Sequence, residues 1–377
     1  SSSSAAAVAA APATGSRDPY PGQAFATARR ILTVNPATPT DLRRLLVDVP
    51  AVRNGWLRCD ACGCVTSYSS WCEGGDVVLS YDPALRRDPA AVVHRVRPRG
   101  LYRVLLELES DPELGDLNDR AAVHRMSVPV AGDRRHALTL EARFPEFDAA
   151  RQEERARVRD AASITAIVVH GSNGLRDGAT PADTAEFRRH WYDASSFDLD
   201  LTLDDDSTVR IEGASLRVFG DRSLRETVEA QMVVDWLQQT DADGAVDSWR
   251  RKLAKTDATT AAARETLESH RSLDEDWCCI GLVSITDIAV CADVEVAATA
   301  DIDRVQAQIW FEVERYLDPP VDFASIDELR ARGVASEDIF NGPELDSGFL
   351  SDDVLRATDL RDQLRVSDII DRLMEID

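Results

Sequence analysis

Lysine is almost missing from this sequence, with only 2 among 377 residues. Lys and Arg together number 43 against 67 Asp and Glu, which gives a net charge of −24. This shortage of positive charge argues against a nucleic-acid-binding protein and against docking on anionic membranes. Salt adaptation and GC-rich codon usage explain the excess of Asp over Lys equally well, and both interpretations stay open.

Long apolar runs are also missing. No stretch approaches the ~20 apolar residues of a membrane-spanning helix, so no direct membrane insertion is expected. Residues 1–16 lack the basic start and leucine-rich core of a secretory signal, and their Ser/Ala/Pro composition predicts a disordered tail. Seven cysteines in so long a chain do not form a disulfide framework, which indicates a reducing compartment.

Helical and strand patterns occur in blocks, which predicts a multi-domain α+β fold built from small mixed α/β units and amphipathic helices. At ~100–200 residues per domain, the length indicates two or three domains. The predicted division begins with a tail at 1–16 and an N-terminal α/β unit at 17–58. A β-rich middle region at 59–225, which is a candidate insertion and contains a Cys-rich loop at 59–75, follows. The chain ends with a helical segment at 226–276 and a C-terminal α+β unit at 277–377.

Local signals fix several elements of the first two thirds. Thr38 is a suitable N-cap for a short amphipathic helix, which Pro50 ends before a strand begins. Residues 197–203 alternate with a period of two, and an acidic turn at Asp204–Asp206 joins them to a second strand. This pattern predicts a β-hairpin. Further predicted elements are strands at 100–109 and 164–169 and a charged helix at 149–160.

The last third is predicted to be rich in amphipathic helices, at 224–239, 245–270 and 301–317. Residues 277–299 are predicted to be β-rich. The helix at 301–317 carries an apolar stripe, which is expected to pack on a strand at 288–296. The stripe consists of Val305, Ile309, Val313 and Leu317.

Four cysteines cluster in the middle region, and they form the most chemically distinctive pattern of the chain. Cys59, Cys62, Cys64 and Cys72 could close a tetrahedral, structural zinc site, although the spacing between the last two is longer than usual. Free thiols in a loop and buried small residues are the alternatives. Cys278, Cys279 and Cys291 are expected to be plain core residues.

No convincing catalytic motif is present, so the chain is predicted not to be an enzyme. The segment His170–Gly174 (HGSNG) follows a predicted strand but lacks the spacing of a nucleophile elbow or a phosphate loop, which favours a polar turn. The alternative function is a zinc-stabilised hydrolase or transferase that uses the cysteine cluster and this loop.

Residues 40–49 and 367–376 share a pattern of hydroxyl cap, short helix and matching apolar positions. A repeated unit explains this likeness, as does the general similarity of short amphipathic helices. In the first copy a strand follows, whereas the second stops at Asp377, so the native polypeptide is expected to continue beyond that residue.

Several phrases, taken in order, resemble the baseplate J-like wedge proteins of contractile injection systems, including extracellular phage-tail-like particles. The phrases are TPTDLRRLLVDVPAVRNGWL, GLYRVLLELE followed by GDLN, ESHRSLDEDWCCIGLVSITDIAVCADVEV, YLDPPVDFASIDEL, IFNGPELDSGFL and LRVSDIIDRLMEID. They extend from about residue 33 to residue 377, whereas regions 59–99 and 110–225 match the family poorly.

The resemblance implies a structural role without catalytic residues or a bound cofactor. Such a protein would pair with a second wedge protein, and six wedges would form a ring around the hub and spike that couples to contraction of the sheath. Assembly would take place in the cytoplasm, and the finished particle would be released in the extracellular systems. The helices at 245–270 and 301–317 are the expected partner-binding elements, unless they pack only within this chain.

Overall fold

A computed structural model describes residues 28–59, 68–96, 100–130, 134–286, 288–361 and 363–376. The predicted tail at 1–16 lies outside these residues. The described part is a multi-domain α+β fold, as predicted. Its helices are α1 (Ala28–Leu32), α2 (Pro39–Val47), α3 (Gln152–Asp160), α4 (Thr184–Arg189), α5 (Ala230–Gln238), α6 (Ala245–Ser269), α7 (Ile302–Leu317), α8 (Ile326–Ala331), α9 (Ser336–Ile339), α10 (Asp352–Ala357) and α11 (Val366–Leu373).

Thirteen strands are assigned within the same described ranges. They are β1 (Val52–Arg58), β2 (Tyr68–Glu73), β3 (Asp76–Ser80), β4 (His94–Val96), β5 (Leu101–Leu108), β6 (Ser110–Asp111), β7 (Gly115–Asp116), β8 (Ala121–Pro129), β9 (Arg135–Arg143), β10 (Ile164–Gly171), β11 (Ser195–Leu203), β12 (Thr208–Gly220) and β13 (Asp276–Leu282).

One core lies beneath a three-stranded sheet of order β1-β5-β13, in which β5 is antiparallel to β1 and parallel to β13. Leu42 and Leu46 of α2 pack on this sheet, together with Leu267 of α6. At Gly55 an added Cβ would lie 2.9 Å from a methyl carbon of Leu46. Glycine at this position therefore lets α2 lie close against β1.

Helix α2 begins as the sequence predicts. The Thr38 side chain accepts a hydrogen bond from the backbone N–H of Asp41, and the Asp41 carboxylate accepts one from the N–H of Thr38. This reciprocal pair satisfies backbone donors that a helix start otherwise leaves unpaired. Pro39 follows the cap in the first turn, where its missing N–H costs nothing.

The largest core belongs to a five-stranded antiparallel sheet of order β10-β11-β12-β9-β8, on which α5 and α6 pack. The predicted hairpin is confirmed as β11 and β12, and its turn holds Asp206 with a positive φ of 61°. Trp249 of α6 stacks on Phe144 with ring centroids 4.4 Å apart. Val246 and Trp249 of this helix are both buried.

The loop predicted at 59–75 is wrong for residues 68–73, which form the central strand β2 of a small sheet of order β3-β2-β4. Tyr68–Glu73 is a strand, and it turns into β3 through Gly74 and Gly75, both of which have positive φ. A two-residue Gly-Gly connection is a typical hairpin turn because its backbone matches the twist of the flanking strands. The sequence contains this signal, but the Ser- and Cys-rich composition obscures it.

The prediction of a β-rich stretch at 277–299 holds only for its start. Strand β13 ends at Leu282, and residues 288–296 are exposed and form no strand. Helix α7 is present as predicted, and it packs against α11. Within its apolar stripe, Val313 is buried, whereas Val305 and Ile309 are half-buried.

Helix α6 and strand β5 connect regions that the predicted division separates. Helix α6 contributes to both large cores, and β5 pairs with β1 and β13. A third, smaller cluster joins Val47 of α2 to Leu350 and Leu355. The division at 58, 225 and 276 stays a prediction.

Candidate assembly surface

Helix α2 carries a buried arginine that binds the C-terminal region. Arg43 donates from Nη1 to the Leu355 carbonyl at 2.7 Å and from Nη2 to the Thr358 carbonyl at 2.6 Å. Its Nη2 also donates to Oδ1 of Asn54 at 3.1 Å. Burial lowers the pKa of Arg43, and the charge of Asp359 opposes this shift. Arginine stays protonated in proteins, so a charged group lies at this contact.

The next residue of α2 makes a second contact of the same kind. Arg44 donates from Nε to the Leu350 carbonyl at 3.1 Å and pairs through Nη1 with Asp41 at 3.0 Å. Its Nη2 pairs with Asp352 at the start of α10. The two side chains therefore bind residues more than 300 positions further along the chain.

The end of α2 and strand β1 complete this junction. The Asp48 carboxylate accepts hydrogen bonds from the backbone N–H groups of Asp346 and Ser347, at 2.7 Å and 2.8 Å. The Trp56 indole donates to the Thr358 carbonyl at 3.2 Å. Polar side chains of the N-terminal helix and strand thus fix the chain around residues 346–358. We call this set of contacts the arginine junction.

Helix α7 is fixed at its C-terminal end by a separate ion-pair cluster. Arg53 of β1 pairs with Asp318, which follows the helix, and lies 3.5 Å from Glu107 of β5. Burial raises the pKa of Glu107, and the charge of Arg53 opposes this shift. The cluster ties the end of α7 to the edge strand β1 and to β5.

Helices α7 and α11 form a pair that is centred on Tyr316. The Tyr316 hydroxyl donates to Oδ2 of Asp368 at 3.0 Å. The guanidinium groups of Arg361 and Arg372 lie 4.3 Å and 5.4 Å from the centroid of its ring. Stacked cations of this kind are attracted by the negative face of the aromatic ring. Polar and cation–π contacts around Tyr316 therefore help to hold the pair together.

Large apolar side chains on the outer faces of these two helices remain exposed. Trp310 is 65% exposed and Phe311 56% exposed on α7. On α11, three apolar residues spaced by four form one stripe: Val366 is 72%, Ile370 52% and Met374 80% exposed. We call these five residues the helix-pair patch. Exposed apolar side chains that are grouped on two neighbouring helices are candidates for an interaction surface.

The predicted zinc ligands are only partly described. Cys59 and Cys72 are exposed free thiols, whereas Cys62 and Cys64 lie outside the described residues. Among the residues that the structure covers, no group of His, Cys, Asp and Glu is arranged to hold a metal ion. The zinc site stays a prediction.

The three downstream cysteines differ from the predicted core residues. Cys278 is half-buried and disulfide-bonded, Cys279 is half-buried, and Cys291 is exposed. The prediction is wrong because Cys278 and Cys279 are only half-buried within β13, and Cys291 lies beyond β13 in an exposed segment.

The HGSNG segment forms the end of β10 and a turn, as the favoured interpretation predicts. His170 bonds through Nε2 to Asp200 at 2.8 Å and through Nδ1 to Asp177 at 3.2 Å. The hydrogen bond to Asp200 is the main cause that raises the pKa of His170. Ser172 instead accepts a hydrogen bond from the backbone N–H of Ser196 at 3.0 Å. Because carboxylates hold both ring nitrogens, the segment does not pair Ser172 with His170 as nucleophile and base.

None of the described helices combines the length and the apolar composition that crossing a membrane requires. Comparison with curated proteins gives no match. Residues 284–377, which include α7 to α11 and their part of the arginine junction, match the family model "Baseplate wedge Pvc12-like domain 3". This match confirms the resemblance to baseplate wedge proteins of contractile injection systems.

Proposed function

We propose that this chain is a structural wedge subunit that pairs with a second wedge protein. Six such wedges would form a ring around the hub and spike and couple it to contraction of the sheath. The family match supports a baseplate role, and the helix-pair patch is the observation that carries the proposed pairing. Following the resemblance, assembly is proposed to occur in the cytoplasm, with the particle released where the system is extracellular.

The helix-pair patch has the composition that favours association. Burying a side chain of the size of Val, Ile, Met or Phe contributes roughly 1.5–3 kcal/mol relative to leaving it exposed. Trp310 and Phe311 are large, rigid side chains of the type that dominates interface energetics. The stripe on α11 repeats every four residues, which suits insertion into the groove of a partner's apolar helix face.

The strongly negative net charge of the chain favours a partner whose net charge is less negative or positive. At a net charge of −24, two copies repel one another, whereas a less acidic or basic subunit is attracted. Asp371 on α11 and Glu375 just beyond its C-terminal end are exposed next to the apolar stripe. We therefore expect the second wedge protein to present an apolar helix face that is flanked by Arg or Lys.

A structural role also fits the contacts of the HGSNG segment. The alternative of a zinc-stabilised hydrolase or transferase needs His170 to serve as a base, and both of its nitrogens are held by carboxylates. No observation favours this alternative over the wedge role.

The test places two charges in the helix-pair patch and follows assembly. The variant Trp310→Glu with Phe311→Glu is compared with Tyr192→Glu with Phe219→Glu, which changes two exposed aromatic residues outside the matched region. Each chain is expressed with the other genes of its particle. Particles are purified, and the amount of the chain in them is measured by mass spectrometry and electron microscopy.

We expect the α7 variant to enter particles at a level at least about tenfold lower, which corresponds to ~1.4 kcal/mol. The control variant should assemble normally, and both variants should keep the melting temperature of the free chain because all four side chains are exposed. Equal incorporation of both variants would contradict pairing through this patch. Absence of the unmodified chain from purified particles would contradict the baseplate role itself.

A further inference from the structure

Residues 288–296 have the sequence of a β-strand but not the structure of one. Apolar side chains occupy every second position, and the other side of the segment holds Ala289 and Cys291 followed by the acidic Asp293 and Glu295. Alternation with a period of two is typical of a strand with one apolar face. In the structure the whole segment is exposed. The apolar positions are Ile288, Val290, Ala292, Val294 and Val296.

The backbone of this segment lacks hydrogen-bond partners in the described part of the chain. No N–H or carbonyl of residues 288–296 pairs with a described residue, whereas the N–H of Val283 still bonds to the Leu106 carbonyl at 2.9 Å. The chain therefore stops pairing with β5 just after the end of β13. Nine residues in extended form span roughly 30 Å, which is enough for a full-length strand.

A segment with these two properties fits one kind of partner. An unpaired strand recognises another strand, because the main-chain N–H and carbonyl groups supply most of the affinity and the alternating side chains supply the specificity. The side chains of Asp293 and Glu295 select for Arg or Lys on the facing strand. A second copy of this chain fits less well because it has the same acidic residues and a net charge of −24.

We propose that residues 288–296 form a β-strand by pairing with an edge strand of another baseplate subunit. This inference rests on the proposed function. The partner strand has apolar residues on one face and basic residues on the other. The segment lies between β13 and α7, so the strand would form a second contact in addition to the helix-pair patch.

Hydrogen–deuterium exchange tests the pairing in the full-length chain. Amide exchange of 288–296 is measured by mass spectrometry in the free chain and in purified particles. We expect fast exchange in the free chain, and about 100-fold slower exchange in the particle at the amides that face the partner strand. Because an added strand bonds along one edge only, about half of the amides should be protected.

Two matched proline variants test whether residues 288–296 bind the partner through backbone hydrogen bonds. Ala289→Pro and Ala292→Pro each remove one N–H that has no partner among the described residues, and these two N–H groups would point to opposite edges of a strand. One variant should lower incorporation into particles severalfold, and the other should have a smaller effect. The melting temperature of the free chain should change in neither.

Each other outcome has a definite meaning. If particles contain the chain but 288–296 exchanges as fast as in the free chain, the strand inference is wrong and the wedge role stands. If both prolines are tolerated equally, the segment is covered without strand pairing, which also refutes the inference. Protection that appears in the free chain as its concentration rises would identify a second copy as the partner. If particles lack the chain, the wedge role and this inference both fail.

Discussion

Replacing Arg43 by methionine should destabilise the attachment of the C-terminal region to α2. Methionine keeps the length of the aliphatic stem but removes the charge and every hydrogen bond of the guanidinium group. That group donates to two carbonyls, those of Leu355 and Thr358, and to the side chain of Asn54. The chain between α10 and α11 would then lose its main polar contact with the N-terminal unit.

The size of the effect follows from the groups that are left behind. A hydrogen bond to a charged group contributes roughly 1.5–3 kcal/mol, but removal of the charge also removes the cost of burying it. The Thr358 carbonyl keeps two donors, from Asn54 and Trp56, both at 3.2 Å. The Leu355 carbonyl keeps the Thr358 hydroxyl at 3.2 Å. Because few acceptors become unpaired, we expect a loss of about 2–4 kcal/mol, which is less than the sum of the individual bonds.

The assay is urea unfolding followed by tryptophan fluorescence, with limited proteolysis of residues 284–377 as a second measurement. Trp56 lies in the arginine junction, with Arg43 5.6 Å from the centroid of its ring, so its emission should report on the change. The control is Arg356→Ala on α10, which removes an exposed pair with Asp353 and should change stability by less than ~0.5 kcal/mol. A loss below ~1 kcal/mol for Arg43→Met, with unchanged proteolysis, would refute the view that this side chain holds the junction.

Three further predictions concern other sites. The pKa of His170, followed by NMR, should lie above 6.5 and should fall in the variant Asp200→Asn. The stabilisation that protonated His170 gives the folded state should therefore be full below pH ~6.5 and should disappear as the pH rises through the folded-state pKa. Lys252→Met should lower the free energy of unfolding in urea by about 2–3 kcal/mol, because its buried ammonium group donates to Asp119 at 2.6 Å and to a backbone carbonyl. If Cys59–Cys72 holds structural zinc, elemental analysis should find about one metal ion per chain, and a chelator should lower the melting temperature; a zinc content near zero with unchanged stability would reject the site.

Local sequence signals predicted those elements whose stabilising contacts are also local. The cap at Thr38 and the hairpin around Asp204–Asp206 depend on residues within a few positions, and both are present. The hairpin at Gly74 and Gly75 has an equally local signal, so a search for two-residue turns would have found it. The resemblance, which depends on the order of many phrases, predicted the baseplate wedge likeness that the match over 284–377 confirms.

The packing partners of the C-terminal elements could not be predicted in this way. Arg43 and Arg44 are typical of a solvent-facing side of an amphipathic helix, and only the fold brings residues 350–358 against them. Helix α7 was predicted correctly, but the order of elements along the chain suggested residues 288–296 as its partner, and α11 takes that place.

The failed prediction at 288–296 depends on a physical difference between helices and strands. A helix satisfies its backbone hydrogen bonds within itself, so its sequence pattern can produce the structure without a partner. A strand needs a neighbouring strand as the partner of its backbone hydrogen bonds. A strand pattern in the sequence therefore produces a strand only where another part of the chain, or another chain, pairs with it. Helix α7 forms its own backbone hydrogen bonds in the free chain, whereas the backbone of residues 288–296 has no hydrogen-bond partner among the described residues. Residues 284–377 match a baseplate wedge domain, which supports our proposal that this strand pattern, next to exposed apolar side chains of α7 and α11, is completed by another subunit.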